Sequence, residues 1–115
     1  MASLNMNGSY KLNNSKINEE ITRSSEGNYA LGYTEESTFY VVYVGRADED
    51  LAERIKNHTE DYSRFKYSYA TSPKNAFEKE CRNYHDFGEN KKLDNEQHPE
   101  RPDGTNWECP KCDKY

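Results

Sequence analysis

The chain has 115 residues, the length of one domain with a modest core. Hydrophobic residues make up 32% of it, the mean hydropathy is -1.31, and no run of about 18 apolar residues exists that could span a membrane. The formal net charge of -5 argues against a strongly basic nucleic-acid-binding protein, and the odd number of cysteines, three, argues against a disulfide framework.

The composition gives conflicting indications of whether the chain folds. Few aliphatic residues favour disorder, whereas ten tyrosines favour a core, because an aromatic ring buries a large area while its polar tip stays wet. We predict a small core rich in tyrosine, with flexible ends. The N-terminus lacks the basic and apolar segments of a secretory signal, so we expect a cytoplasmic, intracellular protein.

The first half of the chain predicts one short helix and a hairpin. The second strand of the hairpin, FYVVYV, is apolar throughout, and we expect it to be central and covered on both faces. In order, the predicted elements are a polar segment over 1–12, a helix capped by Asn14 or Ser15 that ends near residue 22, and antiparallel strands over 28–33 and 39–44.

The second half predicts two helices separated by a strand. The elements are a helix capped by Asp48 or Asp50 that ends near His58, a strand over 65–71, a helix from Ser72-Pro73 to about Phe87, and a polar loop over 88–107. The expected fold class is therefore α+β, with three strands and three helices.

Two helical residues are candidates for phosphate chemistry. Arg54 shares a helix face with His58 and could stabilise charge at a scissile phosphate, or it could form an ordinary surface pair with Asp50. Glu80, on the next long helix, could hold one Mg²⁺, or it could be a solvated carboxylate, with Glu78 competing for the role.

Two tyrosines on the paired strands are further candidates. The hydroxyls of Tyr29 and Tyr43 could hydrogen-bond an attacking water or a phosphate oxygen, although isolated tyrosines are more often part of a core. Together with Arg54 and Glu80 they make a set that suits an enzyme cleaving phosphodiesters.

The order of these residues resembles the GIY-YIG endonuclease superfamily over roughly residues 26–96. Gly27-Asn28-Tyr29 corresponds to the first motif and Tyr43-Val44-Gly45 to the second, and Arg54, Glu80 and Asn95 follow in the family's order. The chain departs from the family at Asn28, where an aliphatic residue is usual. The resemblance implies a domain over 26–96 with a small three-stranded antiparallel sheet flanked by helices. It leaves a polar segment with a short helix over 1–25 and a C-terminal tail over 97–115.

The resemblance also implies roles for single residues in DNA hydrolysis. Tyr29, with His58 or Tyr43, would orient and deprotonate a water, and Arg54 would contact the scissile phosphate. Glu80 would bind a single Mg²⁺ or Mn²⁺, and Asn95 would brace the site. DNA is then the expected partner, with a homodimer or a separate protein supplying specificity.

Cys109-Pro110-Lys111-Cys112 is half of a tetrahedral zinc site. Cys81 and His85 are spaced i, i+4 on the second long helix and could complete a structural Zn²⁺ site, with His98 as another possible ligand. Cys81 also lies on the apolar side of that helix, where a thiol is ordinary core. A third interpretation of Cys109 and Cys112 is a redox-active pair of thiols.

The acidic balance of the chain and its thin basic patch favour an alternative to cleavage. Residues 62–82 hold five basic and two acidic side chains, so a thin basic patch is present despite the negative net charge. The alternative function is a nuclease-like module that binds nucleic acid or protein, has a structural zinc, and cuts nothing.

Overall fold

The computed structural model describes residues 4–95, 97–102 and 104–112. The helices and strands are β1 (Asn7–Lys11), α1 (Asn14–Glu20), β2 (Gly27–Glu35), β3 (Thr38–Ala47), α2 (Leu51–Lys56), β4 (Arg64–Tyr69), α3 (Pro73–Asp86) and α4 (Glu89–Lys92). The strands form one antiparallel sheet in the order β1-β4-β2-β3, so the fold is α+β as expected.

Helices cover both faces of the sheet. Because side chains alternate along a strand, Tyr29 and Leu31 of β2 point to one face, where they pack with Ile17 of α1 and with Leu51 and Ile55 of α2. The intervening residues of β2 and β3 point to the other face and pack against α3. The tyrosine-rich core is confirmed, since Tyr29 is among the largest fully buried side chains.

The helix starts follow from local capping. The side chain of Asp50 accepts from the backbone N–H of Glu53, and that of Ser72 accepts from Asn75, as these residue types predict. The first helix begins one residue earlier than expected, because the side chain of Asn13 accepts from Lys16 and serves as its cap.

The prediction of three strands is wrong: the sheet has four. The additional strand, β1, comes from the segment interpreted as polar and mobile, and it pairs with β4. Its sequence, Asn7–Lys11, has no alternating apolar pattern, and Tyr10 is its one large apolar side chain, half-buried against the core. Pairing with the backbone of β4, rather than burial of an apolar face, places this strand.

The prediction that the strand over 39–44 is central is also wrong. The corresponding strand, β3, lies at the edge of the sheet, and β2 is the buried strand between β3 and β4. The polar segment after α4 partly covers the open edge, because the backbone N–H of Asp94 donates to the carbonyl of Val42 at 2.6 Å. Asn95 extends this cover with its side chain.

The chain after α3 is more structured than the predicted loop. Gly88 adopts a φ of 108°, which favours glycine, and ends α3 before the short helix α4. Trp107 packs against Phe77 of α3 with ring centroids 6.3 Å apart. No helix in the described ranges is long and apolar enough to cross a membrane.

Candidate functional site

A cavity of about 580 Å³ opens at the edge of β3. It is lined by four of the site residues that were predicted from the sequence, which are Tyr29, Tyr43, Arg54 and Glu80. The lining residues are Tyr29, Tyr43, Gly45, Arg46, Ala47, Asp48, Glu49, Asp50, Glu53, Arg54, Asn57, Glu80 and Glu100.

The position of β3 explains how this convergence occurs. Arg54 lies on α2, which packs on the same sheet face as Tyr29, whereas Glu80 lies on α3, which packs on the opposite face. Because β3 is an edge strand, Glu80 reaches the cavity around it, past Gly45 and Ala47. A central β3 would have separated the carboxylate from the guanidinium.

The two tyrosines and His58 form one aromatic cluster. The rings of Tyr29 and Tyr43 stack with centroids 6.3 Å apart, and the ring of His58 lies 5.2 Å from that of Tyr43. The hydroxyl of Tyr29 is 3.5 Å from Nε2 of His58, and Nδ1 of His58 is 3.5 Å from Oδ2 of Asp61. The hydroxyl of Tyr29, the imidazole of His58 and the carboxylate of Asp61 thus follow one another in space, from the cavity toward solvent.

Position 45 has no room for a side chain because the ring of Tyr29 lies against it. A Cβ added at Gly45 would lie 2.4 Å from both the hydroxyl oxygen and Cζ of Tyr29. The second motif therefore ends in glycine because the Tyr29 ring crosses the backbone of the next strand at this point. Gly45 pairs directly with Tyr29 across the two strands.

Both phenols stay protonated near neutral pH. Burial raises the pKa of Tyr29 well above its usual value, with a smaller contribution from Tyr43, and Arg54 opposes the change through its charge and a side-chain hydrogen bond. Burial and the charge of Glu80 also raise the pKa of Tyr43. Each hydroxyl can therefore donate a hydrogen bond into the cavity.

Glu80 has a partner that the sequence interpretation missed. Its Oε1 accepts from Nη1 of Arg46 at 2.5 Å, and this guanidinium also contacts Oδ1 of Asp48 at 3.0 Å and the carbonyl of Glu100 at 2.6 Å. Arg46 directly follows the second motif, and its contact with Asp48 is local. Its other two partners are 34 and 54 residues away, and no local pattern in the sequence relates them to Arg46.

Burial affects the pKa values of both Glu80 and Arg46. Glu80 is 8% exposed, and burial raises its pKa above the usual value, while the charges of Arg46 and Arg54 oppose this. Burial is the largest single influence on Arg46 and lowers its pKa, but the charges of Glu80 and Asp48 and the hydrogen bonds to them together outweigh it, and the net change is upward. Glu78, the competing carboxylate, does not line the cavity.

Two asparagines hold the strands around the cavity. Oδ1 of Asn95 accepts from the N–H of Val44 at 3.0 Å, and its Nδ2 donates to the carbonyl of Val44 at 2.7 Å, so Asn95 pairs with β3 as a strand residue would. Nδ2 of Asn28 donates to the carbonyl of Ala76 at 2.8 Å and ties β2 to α3. Neither asparagine lines the cavity, but each holds in place a strand that forms part of its wall.

A second cluster of chemically capable side chains lies at the end of α3. The ligand atoms of His85, His98, Cys109 and Cys112 all lie within 4.8 Å of one another, an arrangement that could hold a metal such as zinc. This set contains three of the four predicted ligands and takes His98 in place of Cys81.

Cys81 stays beside the cluster as a core thiol. It is fully buried with Phe77 and Cys109, and burial, with a side-chain hydrogen bond to Cys109, raises its pKa. Burial alone would raise the pKa of Cys109 too, but hydrogen bonds from the Lys111 backbone and from its neighbours His98, Cys112 and Cys81 lower it to about 6. The thiolate, the form that binds metals, is therefore favoured at Cys109 and disfavoured at Cys81.

The chain was compared with protein-family models, with curated proteins and with solved structures. None of these comparisons gives a match. Function is therefore argued from the residues and their geometry.

Proposed function

We propose that the protein is a metal-dependent endonuclease that hydrolyses DNA phosphodiester bonds in the cavity at the edge of β3. The observation that supports this most strongly is that Tyr29, Tyr43, Arg54 and Glu80, scattered over the sequence, line one cavity. Such a site has hydrogen-bond donors for water and phosphate, one cation for developing negative charge, and one carboxylate for a metal.

The attacking water is positioned by Tyr29 and loses its proton to His58. The protonated phenol of Tyr29 orients the water, and His58, which lies outside the cavity lining but has Nε2 3.5 Å from that hydroxyl, accepts the proton that the water loses. The water oxygen then bonds to phosphorus as the bond to the leaving oxygen breaks, and the departing alkoxide takes a proton from solvent. Asp61, close to the other ring nitrogen, stabilises the imidazolium that forms.

Arg54 stabilises the negative charge that grows on the phosphate oxygens. It lies on α2 with its guanidinium near the Tyr29 hydroxyl, so water and phosphate would meet between them. Arg54 is exposed at the mouth of the cavity, so its charge is free to meet a phosphate that enters.

The donor set of the cavity fits a hard divalent cation such as Mg²⁺ or Mn²⁺. Six acidic residues line it against two arginines, and among them Asp48 is close enough for its charge to raise the pKa of Glu80. Glu80 would hold the ion and share its carboxylate with Arg46, which already contacts Oε1. When bound, such an ion supplies positive charge for the phosphate and the leaving oxygen.

DNA affinity is expected to be weak and sensitive to salt. The five basic residues of the 62–82 stretch all lie outside the cavity lining, and the lining itself is acidic. We propose that a second copy or a separate partner supplies sequence recognition. The three cysteines are free, which suits a reducing compartment such as the cytoplasm.

Replacing Tyr29 with phenylalanine tests the role of its hydroxyl. We expect the rate of Mg²⁺-dependent nicking of supercoiled plasmid to fall about 100-fold, because the water loses its orienting donor. Tyr33→Phe, on the same strand but 45% exposed and outside the cavity lining, is the matched control and should cleave like the wild type. Equal rates for all three proteins would remove Tyr29 from the mechanism.

A second candidate function is binding without cleavage. The observation that favours it is the ion pair between Arg46 and Glu80, which engages the one buried carboxylate of the cavity. In that case labelled duplex DNA would bind with the same affinity in the wild type and Tyr29→Phe, measured by fluorescence anisotropy, and would remain intact in Mg²⁺.

A further inference from the structure

The cluster at the end of α3 has the dimensions of a tetrahedral metal site. Zinc bonds of about 2.0–2.3 Å place neighbouring ligand atoms about 3.3–3.8 Å apart. Sγ of Cys112 and Nε2 of His98 are already 3.3 Å apart, and all four ligand atoms lie within 4.8 Å of each other. Movements of about 1 Å would bring the whole set to bonding distance.

Both histidines are oriented for metal binding through Nε2. Nδ1 of His85 is held by Oε2 of Glu89 at 2.6 Å, and Nδ1 of His98 by the carbonyl of Pro99 at 2.8 Å. Zinc-binding histidines have this arrangement, in which a carboxylate or carbonyl fixes the outer nitrogen and leaves the inner one for the metal.

One atom in the cluster lacks any partner among the described residues. Nε2 of His85 is buried and has no hydrogen bond, which is costly if nothing binds there. A polar atom buried in this way calls for a ligand, and its imidazole belongs to the cluster with two thiols and a second imidazole.

We propose that His85, His98, Cys109 and Cys112 bind one Zn²⁺ as a structural site. Two thiolates and two imidazoles are the donor set that zinc prefers, and Mg²⁺ does not take sulfur ligands. Four protein ligands leave no open position for water or substrate, so this ion takes no part in hydrolysis.

The zinc fixes one wall of the cavity. His98 belongs to the same segment as Glu100, whose carbonyl accepts from Arg46, and Arg46 pairs with Glu80. Anchoring this segment to α3 through His85 therefore also holds Arg46 in place. Without the ion, the segment after α4 would lose this attachment to α3.

Metal analysis of the purified full chain tests the proposal. We expect one zinc per chain in the wild type and in Cys81→Ala, because Cys81 lies outside the ligand set, and a loss of at least half of that zinc in Cys112→Ser. Zinc absent from wild-type protein refolded with excess Zn²⁺, zinc fully retained by Cys112→Ser, or zinc lost from Cys81→Ala would each overturn it.

Cobalt substitution keeps the test informative if Cys112→Ser does not fold. The wild type loaded with Co²⁺ should show the visible bands of a tetrahedral ion together with thiolate-to-metal charge transfer, and Cys81→Ala should give the same spectrum. An octahedral spectrum without thiolate bands would contradict the proposal. Because these measurements use no DNA, their outcome is independent of whether the protein cleaves DNA.

Discussion

Replacing Glu80 with glutamine is expected to lower the rate of Mg²⁺-dependent plasmid nicking by about 1000-fold, which is on the order of 4 kcal/mol of transition-state stabilisation. Glutamine keeps the shape of the side chain and an oxygen that can accept from Arg46, so the wall of the cavity should remain. It removes the negative charge that would hold the metal. Single-turnover kinetics at saturating protein separates this effect from weaker DNA binding.

Glu78→Gln is the matched control for this measurement. It removes the same charge from the same helix, two residues away, at a half-buried position outside the cavity lining. We expect it to cleave like the wild type. If Glu80→Gln retained wild-type cleavage, or if both variants lost it equally, Glu80 would have no specific part in catalysis.

Replacing Arg54 with alanine is expected to lower the same rate by about 100- to 1000-fold, since a preorganised cation facing the transition-state charge contributes about 3–4 kcal/mol. Arg54→Lys should recover part of this loss, because it restores the charge but not the planar donor geometry. The chemical step, and not only DNA affinity, should slow.

Arg82→Ala provides the comparison for Arg54. Arg82 is exposed on α3 and outside the cavity lining, so its loss should weaken DNA binding slightly at most. If Arg54→Ala raised only the DNA concentration needed for half-maximal rate, Arg54 would be a simple phosphate contact.

Local patterns predicted most of the elements, because the physics that forms them is local. The apolar run of β3, the cap at Asp50 and the Ser72-Pro73 start of α3 each lie within a few neighbouring residues. Strand β1 was missed since it forms through backbone pairing with β4, 53 to 60 residues away, and has no apolar pattern of its own. The edge position of β3 was missed because a run that is apolar on both faces is also typical of a central strand.

The candidate site could be predicted as a set of residue types but not as a network. The order of the tyrosines, Arg54 and Glu80 is visible in the sequence, whereas their meeting depends on β3 being an edge strand. The role of Arg46 was invisible because its partners, Glu80 and the carbonyl of Glu100, are brought to it by α3 and the C-terminal segment.

The zinc ligands show the limit of spacing rules. Cys81 and His85 share a helix face by i, i+4 spacing, which is a spacing that can place two ligands on one metal. Cys81 instead packs in the core with Phe77, and His98, from a loop with no periodic pattern, supplies the remaining ligand. The helical spacing predicted the face of α3 that takes part in the cluster, whereas tertiary packing determined which side chains form it.

The most direct test of the proposed function is nicking of supercoiled plasmid by the wild-type chain with and without added Mg²⁺, beside Glu80→Gln purified in parallel. Mg²⁺ is omitted rather than chelated, because a chelator would also remove zinc from the C-terminal cluster. We predict nicking that requires Mg²⁺, co-elutes with the wild-type protein and is absent from Glu80→Gln. Folded, zinc-loaded wild-type protein that leaves the plasmid supercoiled in Mg²⁺ would contradict the proposal.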